Sequence, residues 1–532
     1  MEDFEKNDLD LMATSGAIPV IDLFAGPGGL CEGFSSLCDA EGRRRFDVRV
    51  SIEKDPIAHK TLMLRALFRK FPKGEVPDSY YDYVRGDLSR EAFLKLPEIK
   101  VAAEHAASEA RCAELGVTPH EEIDAWIGEA LRGSKDWVLI GGPPCQAYSL
   151  AGRSRLRGKN PEAFEADKRH FLYTEYLRII QVFKPSVFVM ENVKGMLTSQ
   201  HGGSPIFDRI LADLQNPLEG LRYQVRSFVV HGDDLKPNDY VIKAENYGIP
   251  QCRHRVILFG VRSDLADAAD KLVLHPNKFL LTPSSETVGV KDALHGLPAL
   301  RSQLSREIDS PQAWLKALKE APASLTSWRD PVRPAVERQM EIALMLAGTL
   351  LSAGGKYMKA SETKPPKELP KELRTWCWDA RLKGVIQHQT RKHMKADLHR
   401  YLFAACYALD QGISPKLNNF PPKLLPDHGN VDDEDVPFKD RFRVQIGGNP
   451  STTVVAHIKK DGHYYIHPDP YQCRSLTVRE AARLQTFPDN YYFEGNRTEQ
   501  YGQIGNAVPP LLARKIANIV HKFLSSVRGI PR

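Results

Sequence analysis

The sequence predicts an α/β fold, a parallel sheet covered by helices, interrupted in the chain by a separate module. Three observations predict it. Four short and almost wholly apolar runs (Val20–Phe24, Val48–Ile52, Trp137–Ile140 and Val187–Met190) suit parallel strands buried on both faces. Residues 1–260 alternate strand-like and helix-like segments. After about 262 this alternation gives way to irregular, proline-punctuated chain, and regular patterning returns near 445.

Each run ends in a residue suited to chemistry. The first leads into Ala25-Gly26-Pro27-Gly28-Gly29, the second into Glu53, the third into Gly141-Gly142-Pro143-Pro144-Cys145-Gln146 and the fourth into Glu191-Asn192. Arg85-Gly86-Asp87-Leu88 stands where a further strand is expected to end, and about 91–135 reads as a helical insertion rich in Ala and Glu. Residues 153–170 read as a loop rich in Arg, Lys and Gly, and Gln251-Cys252-Arg253-His254-Arg255 as an arginine-bearing turn entering another strand. Asp432-Asp433-Glu434-Asp435 reads as a solvated linker. Thr477-Val478-Arg479-Glu480 is a capping box that starts a helix, and a last helix is expected from about Pro510 to Leu524. The expected division is a catalytic domain over 1–262, a module over 263–444 and a closing catalytic part over 445–532.

In open α/β sheets ligands bind beyond the carboxyl ends of the strands, so the four run-ends are expected to share one edge. The glycine turn admits close approach of a ligand to backbone. Glu53, 24 residues beyond Gly29, suits ribose hydroxyls, and Asp87 an adenine amino group. A dinucleotide or S-adenosylmethionine fits; the absence of G-x-G-x-x-G spacing favours the latter. Cys145 follows two prolines, which fix the backbone and aim the thiol. A thiolate there adds to an electron-poor ring carbon if a group such as Glu191 polarises the ring. Arg253 and Arg255 alternate along an extended segment; one is expected at a ring carbonyl, the other at a phosphate or the loop.

The bulk numbers bound the rest. With 73 Lys+Arg against 67 Asp+Glu the net charge is +6, so contact with a polyanion rests on local clusters. Residues 356–400 form one, with 12 Lys+Arg against 5 Asp+Glu, interleaved with Tyr357, Trp376, Trp378 and three histidines. Eight scattered cysteines without Cys-x-x-Cys pairs indicate reduced thiols and no zinc ribbon; no metal site is expected. The absence of a signal-like start or a long apolar run points to a cytoplasmic protein with no membrane association.

These motifs, in this order, with Arg479-Glu480-Ala481-Ala482-Arg483-Leu484-Gln485-Thr486-Phe487-Pro488 and Gly502-Gln503-Ile504-Gly505-Asn506-Ala507-Val508-Pro509-Pro510, closely resemble the DNA (cytosine-5)-methyltransferase family of the bacterial type. The resemblance implies a Rossmann-like, S-adenosylmethionine-dependent domain with an inserted target-recognition domain. It implies that Cys145 is the nucleophile for cytosine carbon 6, that Glu191 contacts ring nitrogen 3 and the exocyclic amine, and that Arg255, with Arg253 beside it, lies near the ring carbonyl. It implies cofactor contacts from Phe24, Ala25, Gly26, Gly28, Gly29, Glu53, Lys54, Asp87, Leu88, Pro144, Asn506 and Ala507, although Lys54 stands where the family often has an apolar or aromatic residue. Contacts to double-stranded DNA are expected from Gln146, Ser149, Arg153, Arg155 and Arg169, and from Arg391 and Lys392 in the module. A monomer acting beside a cognate restriction endonuclease or other defence proteins is the expected setting. A tRNA methyltransferase or a catalytically silent DNA-binding relative are the alternatives.

Overall fold

The computed structural model describes residues 16–144, 172–201, 204–272, 276–360, 364–426 and 440–528. Its centre is an eight-stranded sheet of β1 (Ile18–Leu23), β2 (Phe46–Glu53), β3 (Ala110–Cys112), β4 (Val138–Gly141), β5 (Val187–Val193), β6 (Tyr223–Arg226), β7 (Val241–Lys243) and β8 (His254–Arg262). The order across it is β3-β2-β1-β4-β5-β8-β6, with β7 also paired to β8. Strands β1 to β5 are mutually parallel where they pair, and β8 runs antiparallel to β5. The order reverses direction between β1 and β4, and that switch point places the carboxyl ends of β1, β2, β4 and β5 along one edge.

The four apolar runs are these strands. Their alternate residues feed two cores: Val20, Val48, Ile140 and Val189 on one face, Ile21, Val50, Leu139 and Phe188 on the other. The first face is covered by the helices Gly29–Ser35 and Pro510–Arg528, the second by His120–Leu131, Leu172–Phe183 and Ile206–Gln215. The closing helix is locked by aromatic contacts, with Phe523 5.8 Å from Phe259 and 5.2 Å from Phe279. Covering both faces explains why the strands read as continuous rather than alternating apolar runs.

The expected helical insertion holds more than helices. Pro97–Glu109 and His120–Leu131 are helical, but between them lies β3, the edge strand beside β2. Its three residues, Ala110-Arg111-Cys112, are too few and too polar to register as an apolar run. The helices at Asp78–Arg85 and Pro97–Glu109 share a core with Leu382 and Ile386 of the middle of the chain.

A further apolar cluster draws on residues from Leu304 to Cys473. It is built on Pro311–Lys319, Arg333–Ala347 and Lys395–Gln411, and it also contains Phe442, Val444, Ile466 and Cys473. Two short strands, β9 (Gly354–Lys359) and β10 (Gly384–Gln389), pair antiparallel, and Ile386 of β10 joins the core of the helices Asp78–Arg85 and Pro97–Glu109. Phe279–Leu294 and Leu369–Cys377 contribute instead to the core of the sheet, so packing interleaves the two halves more deeply than a cut at 263 and 444 implies. The capping box forms as expected: the Thr477 amide donates to Glu480 Oε2 at 2.7 Å, and the Glu480 amide to Thr477 Oγ1 at 3.2 Å. No helix among the described residues is long and apolar enough to cross a membrane.

Candidate active site

At the end of β1 the chain turns through Phe24, whose φ of 57° is left-handed and sparsely populated for a residue with a Cβ. Gly26 and Gly28 follow with φ of 59° and 96°. A Cβ on Gly29 would lie 2.3 Å from the Val508 carbonyl oxygen, so the turn rests directly on the backbone that follows Asn506 and Ala507. Around a Cβ placed on Gly26, by contrast, no described atom lies within 4 Å. The turn is pinned behind and open in front.

Glu53 closes this edge. Its Oε2 accepts the Gly26 amide and its Oε1 the Asp55 amide, each at 2.8 Å. Burial pushes its carboxyl above the ordinary carboxylate range, against the pull of those two amides. A fixed acidic acceptor beside an open glycine backbone is what the hydroxyl donors of a nucleoside's ribose require, so the residues present fit S-adenosylmethionine.

Two residues expected at a strand end stand elsewhere. Asp87 follows the helix Asp78–Arg85 rather than a strand; it is exposed and faces Arg85 at 3.4 Å, while Leu88 packs against the helical core. The residue in the position expected of Asp87 is Glu114, two residues beyond β3, where the Ala113 amide still pairs with the Glu53 carbonyl. Glu114 binds Lys54 Nζ at 3.0 Å, which also accounts for a lysine at position 54. Sequence reasoning missed Glu114 because it missed β3; the signal was the acid in Ala113-Glu114-Leu115, legible only once the third strand is located.

At the neighbouring strand ends, Arg255 and Glu191 stand diagonally across the β5–β8 pair and on the same face, since Arg255 pairs with Val193 and Ile257 with Glu191. Arg255 Nε meets Glu191 Oε1 at 2.8 Å. The other carboxylate oxygen lies 3.0 Å from where a Cβ on Gly142 would be, so a larger residue there would press on the carboxylate. Asn192 Nδ2 donates to the Pro143 carbonyl at 3.2 Å, tying the end of β5 to the proline turn that leads to Pro144 and Cys145. Cys145, Gln146, Ser149, Arg153, Arg155 and Arg169 lie outside the described residues.

Arg253 is corrected. It is 2 % exposed, and its guanidinium donates to the carbonyls of Val454 at 2.9 Å and Gly505 at 3.4 Å. It ties the start of β8 to the backbone at Val454 and Gly505 and does not present a free fork to a base. Gln251 adds a parallel tie, donating to Gln485 Oε1, whose own amide donates to the Ala507 carbonyl. Arg391 is corrected as well: it is 7 % exposed and bound to the Lys460 and Ile458 carbonyls, so it offers no phosphate contact. Lys392 is exposed. Other cations of 356–400 are similarly engaged, Arg381 with Asp78 and Lys395 with Glu320. Among the described residues there is no disulfide and no cluster able to hold a metal.

Residues 114–522 match the family model of the C-5 cytosine-specific DNA methylases. The type II methyltransferase M.Bpa9945I of Bacillus paralicheniformis is 32 % identical over 522 residues, covering 95 % of this chain and 99 % of that one. The DNA (cytosine-5-)-methyltransferase M.ApeKI of Aeropyrum pernix is 26 % identical over 444 residues, 75 % of this chain and 83 % of that one. A solved structure of a prophage-encoded chain from E. coli, assigned as a DNA modification methyltransferase, shares the fold with a TM-score of 0.50 at 20 % identity, covering 96 % of this chain and all of that one.

Proposed function

Because the chain belongs to the C-5 cytosine-specific DNA methylase family, and so methylates DNA cytosine at carbon 5 from S-adenosylmethionine, we propose which of its residues carry out the transfer. Bound S-adenosylmethionine supplies an electrophilic sulfonium methyl group. Phe24, Gly26, Glu53 and Asn506 hold it at the β1–β2 edge, with Glu53 on the ribose hydroxyls and Glu114 near the adenine.

The target base must leave the duplex to meet these groups, at a cost of roughly a few kcal/mol. Cys145, leaving the rigid Pro143-Pro144 turn, adds as a thiolate to ring carbon 6. The displaced electron pair makes carbon 5 nucleophilic, while Glu191 holds a proton at ring nitrogen 3 and orients the exocyclic amine. Arg255 orients Glu191 and reaches the ring carbonyl. After carbon 5 has gained the methyl group, loss of its proton and departure of the Cys145 thiolate restore the aromatic ring. The observation that carries this reading is the Glu191 carboxylate, held at 2.8 Å by Arg255 and pressed onto Gly142, three residues before Cys145.

The module built on the Leu304–Cys473 cluster selects the sequence. It joins the catalytic sheet within one chain, which supports a monomer as the working unit. The type II name of the Bacillus relative supports a cognate endonuclease as companion and a bacterial cytoplasm as the setting, and the DNA named for the Aeropyrum relative does not favour an RNA substrate. Bisulfite sequencing of DNA from cells that make the protein tests the reaction and reads the site together. Protection of one cytosine in one short sequence is expected; conversion of every cytosine despite abundant folded enzyme contradicts the reading.

A further inference from the structure

The buried Arg391 has a surface consequence. Its Nη1 donates to the Lys460 carbonyl at 2.7 Å, its Nη2 to the Ile458 carbonyl, and its guanidinium lies 4.1 Å over the ring of Tyr501. Both carbonyls belong to the turn Val455–Lys460. The other side of that turn is held as closely. The Val455 amide donates to Tyr465 Oη at 3.1 Å, and Arg253 takes the Val454 carbonyl. A Cβ on Gly505 would lie 2.3 Å from the Ala456 amide, so the turn sits on the backbone of the helix ending at Asn506. Arg253 is two residues from Arg255, so the turn is tied to the start of the strand that carries the Arg255–Glu191 pair.

The outward residues of the turn are Val455, His457, Lys459 and Lys460, all exposed. Among the described residues no carboxylate forms an ion pair with Lys459 or Lys460; the adjacent Asp461 faces His463 at 3.7 Å. Burying a guanidinium is costly unless its hydrogen bonds are well made; both terminal nitrogens of Arg391 donate to the turn that carries Lys459 and Lys460, while its Nε has no hydrogen-bond partner among the described residues.

We infer that Val455–Lys460 is a DNA-contacting turn, with Lys459 and Lys460 on phosphates flanking the extruded base, and that Arg391 is the positioning residue that fixes it from behind. The inference rests on the DNA reading above. Neutralising the two lysines together (K459A/K460A) is expected to flatten the log–log dependence of DNA affinity on salt by about 1.8, at about 0.9 per phosphate contact, on cognate and scrambled duplexes alike. An unchanged slope overturns the phosphate contacts. Arg391→Lys keeps the buried charge but replaces a fork by a single ammonium. It is expected to flatten the slope in the same direction and to raise KM for DNA, with kcat within about twofold of the parent. A lower melting temperature with unchanged slope and KM would make Arg391 merely structural and overturn its positioning role. Wild-type protein run beside the variants separates the two levels: failure to produce 5-methylcytosine strikes the enzymatic reading, whereas active wild type with an unchanged slope in K459A/K460A strikes only the turn.

Discussion

Arg255 reaches from the start of β8 across to the end of β5 and holds the Glu191 carboxylate at 2.8 Å. The pair ties the antiparallel neighbour of β5 to the carboxyl edge of the parallel strands, and it aims one carboxylate at the space in front of Gly142. The Arg255 guanidinium is itself strained by burial, which lowers its pKa against the pull of Glu191.

Replacing Arg255 by Ala should therefore leave Glu191 misoriented. A charge-assisted hydrogen bond of this kind is worth about 1.5–3 kcal/mol, or roughly 10- to 150-fold in rate if it is realised in the transition state. Tritiated methyl transfer should fall by that factor while calorimetric affinity for S-adenosylmethionine holds. Equal losses in both would place Arg255 in the cofactor site instead.

Glu53→Gln keeps the shape of the side chain but removes its charge and one of the two backbone acceptors. Cofactor affinity should fall by roughly tenfold or more, in line with about 1.5–3 kcal/mol for hydrogen bonds to a charged group. DNA affinity should not change. Titration calorimetry with each ligand checks both halves, and an unaltered cofactor affinity would remove Glu53 from the ribose.

These two sites differ in how well the sequence announced them. Glu53 was legible because it ends a long apolar strand at the spacing a ribose acid needs. Glu191 was legible as a strand-end acid, but its ion pair with Arg255 depends on the β5–β8 register, which no local pattern encodes. Asp87 misled because Gly86-Asp87-Leu88 has the composition of a strand exit, whereas the helix Asp78–Arg85 precedes it and the third strand lies at Ala110–Cys112. Arg391 misled because charge density along the chain says nothing of burial. Its side chain turns inward to two carbonyls some seventy positions away.

Gly29→Ala probes the seam between the two chain ends of the catalytic domain. Its Cβ would lie 2.3 Å from a backbone oxygen of Val508, which cannot yield as a side chain would. Overpacking of this kind costs about 1–3 kcal/mol, and the shift should open the cofactor edge as well. Thermal unfolding should show a lower Tm that saturating S-adenosylmethionine restores only partly. Full thermal stability would mean that the seam is looser than described.

Acid should loosen the junction between module and sheet. Burial pushes His388 and His467 down to about 4 and His393 to about 3, all below their unfolded value near 6.5. Above that value the histidines are neutral in both states and cost nothing. As pH falls from about 6.5 toward 4, the unfolded chain takes up protons that the folded chain refuses, so stability declines through this window, by on the order of 1–2 kcal/mol per histidine near pH 5. Urea unfolding at pH 7 and pH 5 measures it. His388→Gln, which keeps a partner for Thr477 or Pro298 without a titrating ring, should show a smaller decline; an equal decline would assign the loss elsewhere.

Covalent capture tests the central claim most directly. A duplex carrying 5-fluorocytosine at the mapped target cannot lose a proton from carbon 5, so the adduct formed by Cys145 cannot eliminate. With S-adenosylmethionine present, wild-type protein should run as a shifted, denaturation-resistant band on a gel, and Cys145→Ser, folded and still binding cofactor, should not. Wild-type enzyme that methylates the ordinary duplex yet leaves no adduct on the fluorinated one, or a Cys145→Ser variant that still forms it, would contradict the account.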